Sequence, residues 1–159
     1  MAKNKQAHTE QVAQATSPAY QQLVADATAR VQAGQLAAFR AVNKELIQLY
    51  WDLGKMILQR QQENAWGKSV VELLAMDLQK AFPGVAGFSK TNLWRMWAFY
   101  LTYGQGEILP PPVGEFPLAH EQSAFLPPAV AEIGWTHNYL ILEKCNDPNE
   151  RLFYIHQTN

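Results

Sequence analysis

The stretch QLAAFRAVNKELIQLYWDLGKMIL, residues 35–58, decides the fold class. Within it Leu36, Phe39, Val42, Leu46, Leu49, Tyr50, Leu53, Met56 and Ile57 recur chiefly at steps of three and four. That spacing lines apolar side chains along one side of a 3.6-residue helix. A stripe of this length is either core or a coiled-coil-like seam between two copies, and its flanks show no coiled-coil charge pattern, which favours core. Gly54 sits inside the pattern at a cost of roughly 1 kcal/mol relative to alanine, which marks it for close packing against a neighbour.

Upstream, Ser17-Pro18 reads as an N-cap followed by proline at the first helical position, and Tyr20, Leu23, Val24, Ala27 and Val31 continue at helical spacing to Gly34. The spacing therefore predicts a first helix ending at Gly34 and a second beginning at Gln35. Residues 1–17 are polar, rich in Gln and Ala, and are expected to form a disordered leader. Downstream, Asn64-Ala65-Trp66-Gly67 interrupts the periodicity. Val70, Val71, Leu73, Leu74, Leu78 and Phe82 then define a third helix stopped by Pro83-Gly84, and Ser89 caps a fourth that runs to about Tyr103. Two helices across a short glycine-containing turn, about residues 69–103, make a helix-turn-helix-like unit.

Residues 104–134 carry six of the nine prolines and four acids with no Lys or Arg, a long irregular connection with room for a small wing. Helices follow in residues 135–159, the last opened by Asp147-Pro148 with Glu150 at the capping-box position. The expectation is an all-α, multi-helix domain spanning 18–159.

Composition sets bounds on function. A 159-residue chain that is 48% apolar and 17% charged can bury one respectable core. Its net charge of −1 supplies no general attraction for nucleic acid, so any such affinity has to be local. Cys145 is the sole cysteine and cannot form an intrachain disulfide. With no signal-peptide stretch and no run long enough to span a bilayer, the cytoplasm is the expected address, without membrane association.

Several motifs in order, Leu49-Tyr50-Trp51-Asp52-Leu53-Gly54, Trp66-Gly67, Phe82-Pro83, Gly87-Phe88-Ser89, Asn92-Leu93 and Phe99-Tyr100, then Trp135-Thr136-His137-Asn138 and Asp147-Pro148 with Arg151, Phe153 and Tyr154, resemble the N-terminal domain of the YhcG family. The similarity spans roughly residues 20–156. The resemblance implies a DNA-associated module that precedes a PD-(D/E)xK nuclease domain in full-length members. The Pro-rich segment from Gly104 is longer than the family pattern, and a nuclease domain is absent from the 159 residues.

No catalytic constellation is expected. A nuclease of that type needs acids gathered around a divalent metal beside a lysine, in a Glu-x-Lys or Asp-x-Lys element, and none occurs. Asp52 with Lys55 and Asp77 with Lys80 are three apart on helices, the spacing of ordinary surface ion pairs. His8, His120, His137 and His156 lack zinc-binding spacing, so neither a metal nor another cofactor is expected.

What remains is the fourth helix. Leu93, Met96, Trp97 and Tyr100 share one face, and Thr91, Arg95, Ala98 and Thr102 the other. With Lys90 and Asn92, that second face has residue types suited to duplex DNA: Arg for guanine or phosphate, Asn for adenine, Lys and Thr for phosphate. Lys90, Thr91, Asn92 and Arg95 are thus the candidate DNA contacts, with Lys68 and Lys80 as supporting phosphate contacts. Residues 55–95 carry six basic side chains against three acidic ones. The alternative is an interaction module: a homodimer through the long helix, or docking of a nuclease domain or subunit, with the basic residues incidental.

Overall fold

A computed structural model of the chain describes residues 17–64, 67–104 and 126–158. These form six helices, with no strand among the described residues: α1 Pro18–Asn64, α2 Ser69–Ala81, α3 Lys90–Gly104, α4 Pro128–Glu132, α5 Trp135–Lys144 and α6 Pro148–Gln157. The all-α expectation holds. The expected leader, apart from Ser17, and most of the Pro-rich connection lie outside the described residues.

The first two predicted helices are one, the 47-residue α1. It starts as expected, with the Tyr20 amide donating to Ser17 Oγ at 3.3 Å and Pro18 in the first turn. Gly34 does not end it. Among the described glycines only Gly84 and Gly87 adopt positive φ, and around Gly34 the residues Ala33, Gln35, Leu36 and Ala37 are good helix formers with no proline to stop propagation.

By internal packing the chain divides into two units, Met1–Ala41 and Val42–Asn159. In the first, the described residues are the N-terminal part of α1, and apart from Ser17 and Gly34 every one is exposed. The second holds the core. Ile47 and Trp51 of α1 meet Phe99 and Tyr103 of α3, Val130 of α4, Ile133, Ile141 and Ile155; Tyr50 and Ile57 meet Val71 and Ala75 of α2 with Leu93 and Met96 of α3.

The buried face of α1 is Ile47, Tyr50, Trp51, Gly54 and Ile57. This corrects the core reading of the stripe, because Leu46, Leu49 and Met56 are exposed. Two apolar rows run side by side between residues 46 and 57. The row containing Gly54 wins the interior because glycine lets α3 approach to backbone contact: a Cβ on Gly54 would stand 2.1 Å from the Met96 carbonyl oxygen.

The turn between α2 and α3 is tied on several sides. Gln79 Nε2 donates to Phe88 O at 2.9 Å, Asn92 Nδ2 to Gly87 O at 2.6 Å, and the Asn92 amide to Ser89 Oγ at 3.2 Å. Gly87 has φ 109°, and a Cβ there would meet Tyr50 Oη at 2.5 Å, so only glycine fits.

Helix α4 lies inside the segment expected to be irregular. Pro128 occupies its first turn, where a missing N–H costs nothing, and Val130 and Ala131 are buried. Its C-terminal carbonyls are satisfied from outside: Asn138 Nδ2 donates to Val130 O and Ile133 O, and Asn43 Nδ2 to Ile133 O at 3.2 Å. Helix α6 begins as expected, with Asp147 Oδ1 accepting from the Asn149 amide at 2.8 Å.

Candidate functional site

Two surfaces compete for a functional role: the outer side of α3 and the apolar side of α1. On α3, the four candidate DNA contacts do not form a free row. Asn92 is structural. Its Oδ1 accepts from Trp135 Nε1 at 2.7 Å while its Nδ2 donates to Gly87 O, so both ends of the amide are committed. The ring of Tyr50 meets that of Trp135 edge-on at 4.8 Å, and burial raises the Tyr50 hydroxyl above its ordinary pKa while a hydrogen bond with Asn92 works against the rise.

Arg95 is held as well. Its Nε pairs with Glu143 of α5 at 2.8 Å and its guanidinium lies 3.9 Å from the centre of the Tyr139 ring. Lys90 pairs with the Glu72 carboxylate of α2. Both pairs are half-exposed and each is worth no more than about 1 kcal/mol, so neither pins the side chain against a strong competing anion. Thr91, Lys68 and Lys80 stand exposed.

The face of α3 expected to be solvent-facing is therefore partly roofed. Ala98 and Thr102 are half-buried, and α5 runs beside them, leaving a groove of about 310 Å³ whose walls include Thr91, Trp94, Arg95, Tyr139 and Glu143. The sequence pattern missed this because α5 arrives from beyond the Pro-rich segment. An α-helical face carries no mark of which distant element will cover it.

The apolar side of α1 has the opposite character. In the first unit Tyr20, Leu23, Val24 and Val31 are exposed, Leu23 at 62% and Val31 at 59%. In the second, Val42, Leu46, Leu49 and Met56 are exposed and Leu53 is half-buried. Beside them Leu53, Met56, Ile57, Val70, Val71 and Leu74 line an almost wholly apolar groove of about 240 Å³ between α1 and α2. Isolated apolar residues on a surface need no explanation, but here each unit's part of α1 carries several of them. The signal was present in the spacing of the sequence; what spacing could not say was which of the two rows the core would take.

Among the described residues no three His, Cys, Asp or Glu side chains gather as metal ligands. Cys145 is buried, and burial pushes its thiol pKa up, with Glu150 adding and Arg151 opposing, which is the reverse of an activated nucleophile. Among the described residues no helix is long and apolar enough to cross a membrane.

No curated protein and no solved structure matches the chain. A family model does, the DUF1016 N-terminal domain, over residues 26–159, and YhcG is the DUF1016 family, in agreement with the resemblance carried by the sequence motifs.

Proposed function

We propose, for a chain that belongs to the DUF1016 N-terminal domain family, a non-catalytic assembly role in which the apolar side of α1 is covered by another polypeptide. The observation that carries this reading is the exposure of Leu23, Val31, Val42, Leu49 and Met56 along one helix. Residues 18–41 have no core of their own to hold them, and a helix that shows its apolar residues to water gains most of its stability from packing. In this reading the chain positions a companion activity, and the PD-(D/E)xK nuclease implied by the family resemblance, attached or separate, is the natural one.

The test is direct. Purified full-length chain is examined by light scattering and with a dye that fluoresces on apolar surfaces, alongside Val31→Glu and Leu49→Glu. The expected result is an oligomer whose mass falls with either substitution, or a monomer whose dye binding falls with either. A dye-silent monomer whose α1 is fully helical would overturn the reading, because its apolar side would then need no cover.

A second reading, contact with duplex DNA, draws on the exposure of Lys68, Lys80 and Thr91 and the weak pairing of Lys90 and Arg95. Asn92 is excluded from base contact by its two internal bonds, so affinity would come from phosphates and be strongly salt-dependent. Loss of low-salt DNA retention on combining Lys68→Ala with Lys80→Ala would support it; equal retention by that variant would remove it.

A further inference from the structure

Resting on the assembly reading, we infer that the occupant of the apolar side of α1 between Val42 and Met56 is a basic amphipathic helix of another polypeptide. Its apolar face lies on the row and Lys or Arg side chains line one of its flanks. The row and both of its borders belong to the unit Val42–Asn159.

Successive residues advance about 100° around a helix and rise about 1.5 Å along it, so Val42, Leu46, Leu49, Leu53 and Met56 keep within a stripe about 80° wide and about 21 Å long. All are exposed except Leu53, which is half-buried. A stripe narrower than the roughly 100° of a core-facing helix is the width that one partner helix covers. At its Met56 end the stripe runs into the groove floored by Ile57 and Val71 and walled by Val70 and Leu74 of α2. An incoming helix with apolar side chains at steps of three and four matches this shape, its last anchor entering the groove.

The borders of the row set the chemistry of the partner. Toward the core stand Asn43, Tyr50 and Ile57, all uncharged. On the open side Glu45 and Asp52 adjoin the row, in line with each other along the helix and both exposed. Neither has an ion-pair partner among the described residues; Asp52 accepts from Gln48 Nε2. Lys44 and Lys55 lie about 60–100° further round, on the side turned from the row. Arg60, in line with the row beyond Met56, pairs with Glu63. A helix laid on the row therefore reaches Glu45 and Asp52 before it reaches either lysine. Charges bordering an apolar seam select its partner, and an acidic border selects a basic flank.

The same border disfavours two other occupants. A second copy using this row would set acids against acids when antiparallel and against the uncharged border when parallel. Residues 105–125 of the chain itself carry three acids and no Lys or Arg, so their charge does not complement the border either.

The experiment uses the full chain and two fluorescently labelled synthetic peptides of about 18 residues, both with leucine at helical steps of three and four. One has lysine on its flanks and the other glutamate. Anisotropy titrations at low and at physiological salt are expected to show the lysine peptide binding about tenfold more tightly, with the difference shrinking as salt rises. Glu45→Lys combined with Asp52→Lys should reverse the preference. The matched exchange off α1, Asp77→Lys with Glu150→Lys, should leave its direction unchanged, and Leu49→Glu should remove binding of both peptides without loss of helicity. Equal binding of the two peptides, a preference that both charge exchanges shift alike, or a dye-binding monomer that takes neither peptide overturns the basic partner and leaves the assembly reading intact. An oligomer whose mass falls with Leu49→Glu also overturns it, because the occupant is then a second copy, and again leaves that reading intact. A dye-silent monomer that binds neither peptide overturns both.

Discussion

Replacing Gly54 with alanine sets two physical effects against each other, and the geometry of α1 against α3 decides between them. From helix propensity alone the substitution should stabilise α1 by about 1 kcal/mol. But the new Cβ would lie 2.1 Å from Met96 O, 2.7 Å from Met96 C and 3.0 Å from Tyr100 Cβ, where ordinary contact begins near 3.4 Å. Two of the three obstacles are backbone atoms in the middle of α3, so no rotamer change relieves them. The helices have to part by about 1 Å, and a gap of that size forfeits a quarter to a half of the dispersion attraction across it. The side chains that would lose contact include Tyr50, Ile57, Leu93 and Met96. Overpacking of this kind costs typically 1–3 kcal/mol, occasionally more, so the net expectation is destabilisation by about 1–3 kcal/mol. Urea unfolding followed by circular dichroism measures it. Gly34→Ala is the internal control: its Cβ would meet only the flexible end of Arg30, at 3.4 Å, and helicity should hold or rise. A Gly54→Ala midpoint equal to or above that of the unsubstituted chain would refute the account of why the Gly54 row, rather than its neighbour, is inside.

Asn92→Ala removes the link between Trp135 Nε1 and Gly87 O and leaves both without their partner; a loss of about 2–3 kcal/mol in unfolding free energy is expected, and a change below about 0.5 kcal/mol would show that water replaces the amide. Tyr103 offers a pH test. Its hydroxyl is buried without a hydrogen-bond partner among the described residues, and its pKa is pushed up to about 12 by burial, with Arg151 opposing and Cys145 adding. Because the folded pKa exceeds the unfolded value near 10, the unfolded chain releases its proton first, so this tyrosine's contribution to stability is intact below pH 10 and is lost as pH rises toward 12. Tyr103→Phe should leave stability at pH 7 unchanged or slightly higher and shallow the alkaline decline, read as unfolding midpoints between pH 9 and 11; a steeper decline would contradict the burial of that hydroxyl.

Much of the fold was legible because helical patterning and capping are local. Ser17-Pro18, Ser89 and Asp147-Pro148 start their helices as their chemistry dictates, and Pro83-Gly84 separates α2 from α3. The failures share a cause. Gly34 was read as a stop because glycine often is one, yet nothing at that position requires positive φ. Helix α4 was hidden because Pro127-Pro128 reads as a breaker unless one knows that Val130 and Ala131 have a core to enter. The α3 face looked free because its cover, Tyr139 and Glu143, lies more than forty residues away in sequence. Asn92 looked like a base-reading residue because an exposed amide and one serving as a strut are the same letter until Trp135 is in place.

The linkage Trp135–Asn92–Gly87 also limits what can be cut from this protein. The α2–α3 pair has the outline of a portable recognition motif, but its turn is completed by an indole from α5 and its Gly87 is shaped to a tyrosine from α1. Excised on its own, or grafted onto another scaffold, the pair would leave behind the two residues that hold its bend. A transplantable unit therefore has to bring Tyr50 of α1 and Trp135 of α5 along with α2 and α3.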